Sequence, residues 1–277
     1  FMWPPTTLPL VLHIPHAGTA IPEAVLDQFL SVEQIQEVLF DLTDWYTNEL
    51  FQIPGSLKVE TPISRVVVDT ERYQDDAVEA AARFGQGVIY THSHERSPLR
   101  RHVSTPIRRP VSEQERTELL EQYYKPWHLK LEHSVAEQLE RFGYCIIVDC
   151  HSFPSIPLPT EVSNTNSRPD ICIGTSTENT PLWLKQSLLS GFRKVGYHSH
   201  ENSPFAGSIV PSAYIGNQNV LSVMIEINRD LYLEPTVSAS KLGVTGHPKK
   251  SEHFEVLRHQ ITSQLLIMAH EAESRLG

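Results

Sequence analysis

The sequence predicts an α/β domain in which helices sandwich a mixed, largely buried central sheet. Three observations lead there. The runs CIIVDC (145–150), PDICIGT (169–175) and VLSVMIEIN (220–228) are apolar almost end to end, as strands buried on both faces must be. Between them lie segments whose apolar residues recur at helical spacing. The two kinds of segment alternate along the chain, which favours α/β architecture over all-helical or all-strand folds.

LPLVLHI (8–14) reads as a strand running into the loop Pro15-His16-Ala17-Gly18. Residues 31–51 read as one helix, with Ile35, Val38, Leu39, Leu42, Trp45, Tyr46 and Leu50 on its apolar face. RVVVDT (65–70) and GVIYTH (87–92) read as strands. The Arg/Pro-rich stretch 95–111 reads as a long surface loop. From Ser112 to Phe142 the pattern is amphipathic and helical, opening on the capping-box-like SEQE. Pro126 is expected to divide that region into two helices. Further helices are expected around 180–195 and over 251–275, the last with Phe254, Leu257, Ile261, Leu265 and Met268 inward. With no internal repeat and no linker-like segment, residues 1–277 are expected to form a single domain.

A formal charge of -10 argues against a nucleic-acid binder, which would normally show a basic stripe. A protein of this charge that handles an anion must concentrate its arginines locally. Cys145, Cys150 and Cys172 form no CxxC pair and have apolar neighbours, so they read as buried strand thiols in a reducing compartment. The N-terminus FMWPPTTLPLVLHIPHAG lacks the features of a signal peptide, and no apolar run approaches the roughly 18 residues of a membrane span. The expectation is a cytoplasmic protein without a membrane partner; the oligomeric state is not readable.

In open α/β sheets the chemistry sits beyond the carboxyl ends of the strands. Four such ends here carry polar residues that packing does not explain. They are His16 after 8–14, Asp69 and Arg72 after 65–70, His151 after 145–150, and Glu226 within 220–228. Two histidines from separate strands suit zinc, which a carboxylate can complete. Glu226 is either one half of a buried ion pair with an arginine or a general base whose pKa is raised by desolvation. Arg65 and Arg72 can grip carboxylates through a planar fork, or can pair with Asp69 or Glu71. The HxH pairs His92/His94 and His198/His200 read as solvated loops, and His270 as a solvated helix face.

The ordered blocks PHAGTAIPE (15–23), TDWYTNELF (43–51), SRVVVDTER (64–72), GVIYT (87–91) and YYKPWH (123–128) resemble the N-formylglutamate amidohydrolase family. So do VDCHSFPS (148–155), RPDICIGT (168–175), NSPFAGSIVP (202–211) and MIEINRDLY (224–232). The family is similar to the zinc carboxypeptidases and to the aspartoacylase and succinylglutamate desuccinylase enzymes. The resemblance implies their three-layer α/β/α fold, one zinc ion per chain, and a small anionic N-acyl amino acid as substrate. It implies His16 and His151 as zinc ligands, Glu226 as the carboxylate that activates water, Arg65 as the group polarising the scissile carbonyl, and Arg72 as the grip on the substrate carboxylate. Tyr124, His128, Asn202 and Gly207 would line the substrate pocket.

There are two departures. The relatives' His-x-x-Glu ligand pair has Thr19 in the Glu position, so the missing carboxylate is expected from Asp44, with Asp41 as the alternative. Glu71 stands where the relatives often have Asn. The implied activity is hydrolysis of N-formyl-L-glutamate, in a histidine-degradation role. A carboxypeptidase-like or other N-acyl amino acid deacylase activity would use the same residues. A non-catalytic amino-acid or metal binder would not need Glu226.

Overall fold

The computed structural model describes residues 7–94, 104–158, 161, 168–235 and 247–277. In chain order the strands are β1 (Leu10–Ile14), β2 (Leu57–Glu60), β3 (His92–His94), β4 (Ser104–Pro106), β5 (Cys145–Phe153), β6 (Ile171–Thr175), β7 (Ser199–Glu201) and β8 (Val220–Asn228). The α-helices are α1 (Val32–Leu42), α2 (Thr47–Leu50), α3 (Glu113–Leu119), α4 (Lys125–Phe142), α5 (Leu182–Lys194) and α6 (Phe254–Leu276). Six strands form one sheet in the order β2-β1-β5-β8-β6-β7. It is mixed: β2, β1, β5 and β8 run parallel, and β6 joins β8 antiparallel with β7 parallel to it. The pair β3–β4 is a separate antiparallel ribbon.

Successive residues of a strand point to opposite faces, and here the two faces differ in kind. Leu10, Leu12, Ile14, Ile146, Val148, Cys150, Leu221, Val223, Ile225 and Ile227 enter one large apolar core with Leu184 and Phe192 of α5 and Leu257, Ile261 and Leu265 of α6. Val11, Cys145, Ile147 and Val220 enter a smaller core with Trp127, Leu131 and Val135 of α4. Helices thus cover both faces, giving three α/β/α layers. On the α4 face the same parity continues, toward the carboxyl ends of the strands, with His13, Asp149, His151 and Glu226. One face is packing throughout; the other is packing at one end and chemistry at the other.

Several sequence expectations are corrected. Residues 65–70 form turns, not a strand, although Val66, Val67 and Val68 are buried. Of 87–92 only an isolated bridge at Tyr90 and the first residue of β3 are extended. The short strand β2 had no clear apolar signal, because only Val59 of its four residues is buried. His92 and His94 lie on β3, and His200 on β7, so these are not loop residues. Residues 95–103 lie outside the described residues. Pro126 does not split the helix. The missing N–H is absorbed by a π-helical turn, Leu120–Tyr124, after which Lys125 N–H bonds to the Leu120 carbonyl and α4 continues with Pro126 in its first turn.

The correction that matters most for the site is the break in the expected helix 31–51. α1 stops at Leu42, Thr43 turns extended, and Tyr46 adopts a left-handed φ of 61° before α2 begins. Residues with side chains seldom adopt that conformation. Here the Asp44 N–H donates to the His16 carbonyl at 3.0 Å, the Thr47 hydroxyl donates to the Asp44 carbonyl at 2.9 Å, and the Tyr232 hydroxyl donates to the Trp45 carbonyl at 2.8 Å. The break turns Asp44 out of a helix face and sets it beside His16.

Candidate active site

A cavity of about 660 Å³ opens over the carboxyl ends of β1, β5 and β8. His16, Asp44, Arg65, Glu71, Arg72, His151, Glu226 and Arg229 are among its lining residues. His16 follows β1 by two residues, while His151 lies inside β5, in register with Glu226 of β8.

His16 Nδ1, His151 Nδ1 and one Asp44 oxygen form a buried group able to hold a metal ion. Asp44 Oδ2 is 3.1 Å from His151 Nδ1 and 3.7 Å from His16 Nδ1. A tetrahedral zinc ion with bonds of about 2.0–2.1 Å sets its ligand atoms about 3.3 Å apart, between those two distances. His16 Nδ1 is buried without a hydrogen-bond partner, a costly state for a free nitrogen and the normal one for a ligand awaiting its ion.

Both imidazoles are backed by carboxylates at Nε2, so that each Nδ1 faces Asp44. His16 Nε2 is 2.9 Å from Asp69 Oδ1, and His151 Nε2 is 2.9 Å from Asp149 Oδ1. With the proton on Nε2, the Nδ1 lone pairs turn to a common point beside Asp44. This is the carboxylate–histidine arrangement that orients metal ligands and raises their basicity. Fully buried Asp69 also accepts from Arg65 Nε (3.0 Å) and Nη2 (2.7 Å), from the Tyr90 hydroxyl (2.9 Å) and from the Glu71 N–H (3.1 Å). Burial opposes its ionisation, but Arg65 and His16 hold its carboxyl well below the usual range. Arg229 fixes Asp44 in place: Nη2 donates to Asp44 Oδ1 at 3.1 Å, Nη1 to the Asp41 carbonyl at 2.7 Å, and Nε to the Ser152 hydroxyl at 3.1 Å. Burial lowers His151's proton affinity, yet Glu71 and Asp149 beside it lift its pKa well above the ordinary value.

Glu226 behaves differently. Its Oε2 is buried in the cavity wall with no hydrogen bond. Burial, then the charges of Asp44, Glu71 and Asp149, push its pKa up to about 8 against the opposing pull of His151. No arginine among the described residues neutralises it, so of the two sequence readings the ion pair is not the one found.

The arginines divide by how fully they are used. Arg65 and Arg229 are held by Asp69 and Asp44. Arg72 makes only long carboxylate contacts among the described residues, 3.6 Å to Asp69 and 3.8 Å to Glu79, beside an interaction with the Tyr90 hydroxyl, and its buried Nε makes no hydrogen bond. Arg83, which sequence reading passed over, lines the cavity with its guanidinium 4.6 Å from the Phe84 ring centre and no carboxylate partner among the described residues. The local concentration of arginines expected of an acidic protein that takes an anion is present as Arg65, Arg72, Arg83 and Arg229.

Four expected pocket residues are placed elsewhere. The Tyr124 hydroxyl donates to the Arg72 carbonyl at 2.9 Å, and His128 Nε2 to the Thr70 carbonyl at 2.8 Å. They brace the segment carrying Asp69, Glu71 and Arg72 from behind and do not line the cavity. Asn202, at φ 52°, spends its amide on Thr175 N–H and Oγ1. Gly207, at φ 98°, lets the chain turn, and its carbonyl crowds Gly174; the cavity wall takes Pro204, Phe205 and Ala206 from that loop. Asp41 reaches the site through its backbone carbonyl. Asp149, a lone acid in the apolar run CIIVDC, was passed over although Glu226 was noted on the same ground, whereas Arg229 and Tyr90 act through partners 185 and 21 positions away.

N-formylglutamate deformylase of Pseudomonas putida is 29% identical over 237 residues, covering 83% of both chains. The Pseudomonas aeruginosa protein of the same name is 28% identical over 239 residues, covering 82% of this chain and 83% of its own. The crystal structure of N-formylglutamate amidohydrolase from Ralstonia eutropha JMP134 superposes with a TM-score of 0.76 at 23% identity, covering 95% of this chain and 94% of that one. A gene product of Agrobacterium tumefaciens superposes with a TM-score of 0.62 at 18% identity, covering 98% and 92%. The family model for N-formylglutamate amidohydrolase matches residues 8–233, and the chain belongs to that family.

Proposed function

We propose that this protein hydrolyses the amide bond of N-formyl-L-glutamate, releasing formate and glutamate, with one zinc ion held by His16, Asp44 and His151. The observation that carries the reading is the convergence of those three ligand atoms beside an unpartnered buried carboxylate, in a cavity lined by arginines. When bound, zinc supplies a Lewis acid for the formyl carbonyl and a positive charge that lowers the proton affinity of a nearby water and of Glu226.

The chain's own residues do the rest. Glu226 takes a proton from the water as its oxygen attacks the formyl carbon. The same carboxyl delivers that proton to the nitrogen as the carbon–nitrogen bond breaks. Arg65 has Nε and Nη2 fixed on Asp69, leaving Nη1 to donate to the oxygen on which negative charge develops. Arg72 and Arg83 are the lining arginines with capacity left for the two carboxylates of the substrate. A planar guanidinium can take both oxygens of a carboxylate, so each grip also orients the amide.

The experiment is an assay of N-formyl, N-acetyl and N-succinyl derivatives of glutamate and of neutral amino acids, on protein stripped of metal and then given zinc. The reading requires activity that returns with zinc and is highest for N-formylglutamate. Full activity after exhaustive chelation would refute the zinc centre; equal turnover of neutral substrates would refute the acidic preference.

A further inference from the structure

His13, on β1, is fully buried and has no part in the chemistry above. Its surroundings look at first like a second metal site, because His13, Glu71 and Asp149 offer ligand atoms within 4.8 Å of one another. The hydrogen bonds argue against that. Trp127 Nε1 donates to His13 Nε2 at 3.2 Å, and an indole N–H can only donate. His13 Nε2 therefore carries the lone pair, and the ring proton sits on Nδ1. From there it is donated to Asp149 Oδ1 at 2.8 Å, while Glu71 stands off at 3.5 Å. Ligation of a metal by Nδ1 would force a proton onto Nε2, where it would face the indole N–H.

We propose that Trp127, His13 and Asp149 form a fixed hydrogen-bond line whose task is to set the tautomer and orientation of His151, so that its Nδ1 faces Asp44. Asp149 Oδ1 accepts from His13 and from His151, and Oδ2 accepts from the Ile209 N–H at 3.1 Å, so the carboxylate is held at both oxygens. The comparison with His16 gives the reason for the device. Asp69, behind His16, is clamped by the cationic Arg65; Asp149, behind His151, is clamped by neutral donors. A neutral clamp leaves the charge of Asp149 Oδ1 to hold the Nε2 edge of His151 at 2.9 Å, an edge that Glu71 also approaches at 3.2 Å. His13 and Trp127 are positioning residues, and the line was invisible in sequence because it joins residues 114 and 136 positions apart.

The geometry stands by itself, whereas its consequence rests on the zinc centre proposed above; the test separates the two. Nitrogen-15 NMR of the wild-type imidazoles should show His13 protonated at Nδ1 and not at Nε2. Zinc affinity, measured by competition with a chelator, should fall on the order of 10–100-fold in His13→Leu, the usual effect of losing such outer partners. His13→Asn, which keeps an N–H near the Nδ1 position, should recover most of it. Trp127→Phe should leave His13 as a mixture of tautomers. A His13 protonated at Nε2, two zinc ions per chain, or a folded His13→Leu protein with wild-type zinc affinity would each overturn the proposal. If His13→Leu does not fold, His13→Asn and the tautomer decide. If the wild-type protein binds no zinc, the zinc centre fails while the NMR result still settles the hydrogen-bond line.

Discussion

β5 and the segment 64–72 both deliver residues to the cavity, and both are built on buried β-branched residues, yet only one is a strand. In β5 every residue is buried and the backbone is paired with β1 on one side and β8 on the other. In 64–72 the valines are buried as completely, but they split between two separate small cores and no ladder runs beside them. The backbone is satisfied piecemeal: Val67 N–H to the Ser64 carbonyl, Asp69 N–H to the Val88 carbonyl, His128 to the Thr70 carbonyl and Tyr124 to the Arg72 carbonyl. An apolar run therefore encodes burial, and a strand only when partners in register are available. Functionally, the strand holds His151 and Asp149 rigidly, while the irregular segment presents Asp69, Glu71 and Arg72 in several directions at once.

The contrast can be broken from either side, and the two sides should respond in different kinetic constants. The largest effect is expected on the strand side. Glu226→Gln keeps the shape of the side chain but cannot take the water's proton, so kcat should fall on the order of 10²–10⁴-fold, with fold and zinc content retained. A folded, zinc-loaded and active variant would remove Glu226 from the mechanism. On the irregular side, Arg72→Lys keeps the charge but loses the bidentate fork, and KM for N-formylglutamate should rise about tenfold with kcat little changed. An unchanged KM would move the carboxylate grip to Arg83. Tyr124→Phe removes one brace from the same segment, which should lower stability by about 1 kcal/mol in denaturant titration and raise KM a few-fold. A change in kcat alone would show that Tyr124 does more than brace.

The smallest effect is a pH signature of the metal-free protein. The folded-state pKa of Glu226 is raised to about 8, above its unfolded value. Its protonated form therefore contributes stability that is fully present below the unfolded pKa and is lost as pH rises toward about 8. Glu226→Gln removes this dependence. The variant's melting temperature should exceed that of the wild type at pH 8 and above, and the gap should close toward pH 4. A gap that does not vary with pH would mean that Glu226 is not desolvated.

The same contrast explains what could be read in the sequence. Strand-end logic located His16, His151 and Glu226 because each follows or interrupts an apolar run, and the structure brings all three to one cavity. Asp44 could be placed by resemblance, but the helical pattern of 31–51 hid the break that aims it, since Leu42 and Leu50 are buried on either side of that break. Tyr124 and His128 lie near the site, but what they touch is backbone, and a sequence pattern does not tell a brace from a lining residue. His13, Arg229 and Tyr90 gave no signal because their meaning lies in pairings between separate parts of the chain, such as Arg229 with Asp44, 185 residues apart. Burial and periodicity are local properties, whereas donor–acceptor partnership is not.

The most direct test of the central claim is anomalous diffraction at the zinc edge from crystals of the zinc-treated protein. The account requires a single strong peak about 2.0–2.2 Å from His16 Nδ1, His151 Nδ1 and one Asp44 oxygen. A peak at the imidazole Nε2 atoms, a peak within the His13, Glu71 and Asp149 group, or no peak in the cavity would contradict it.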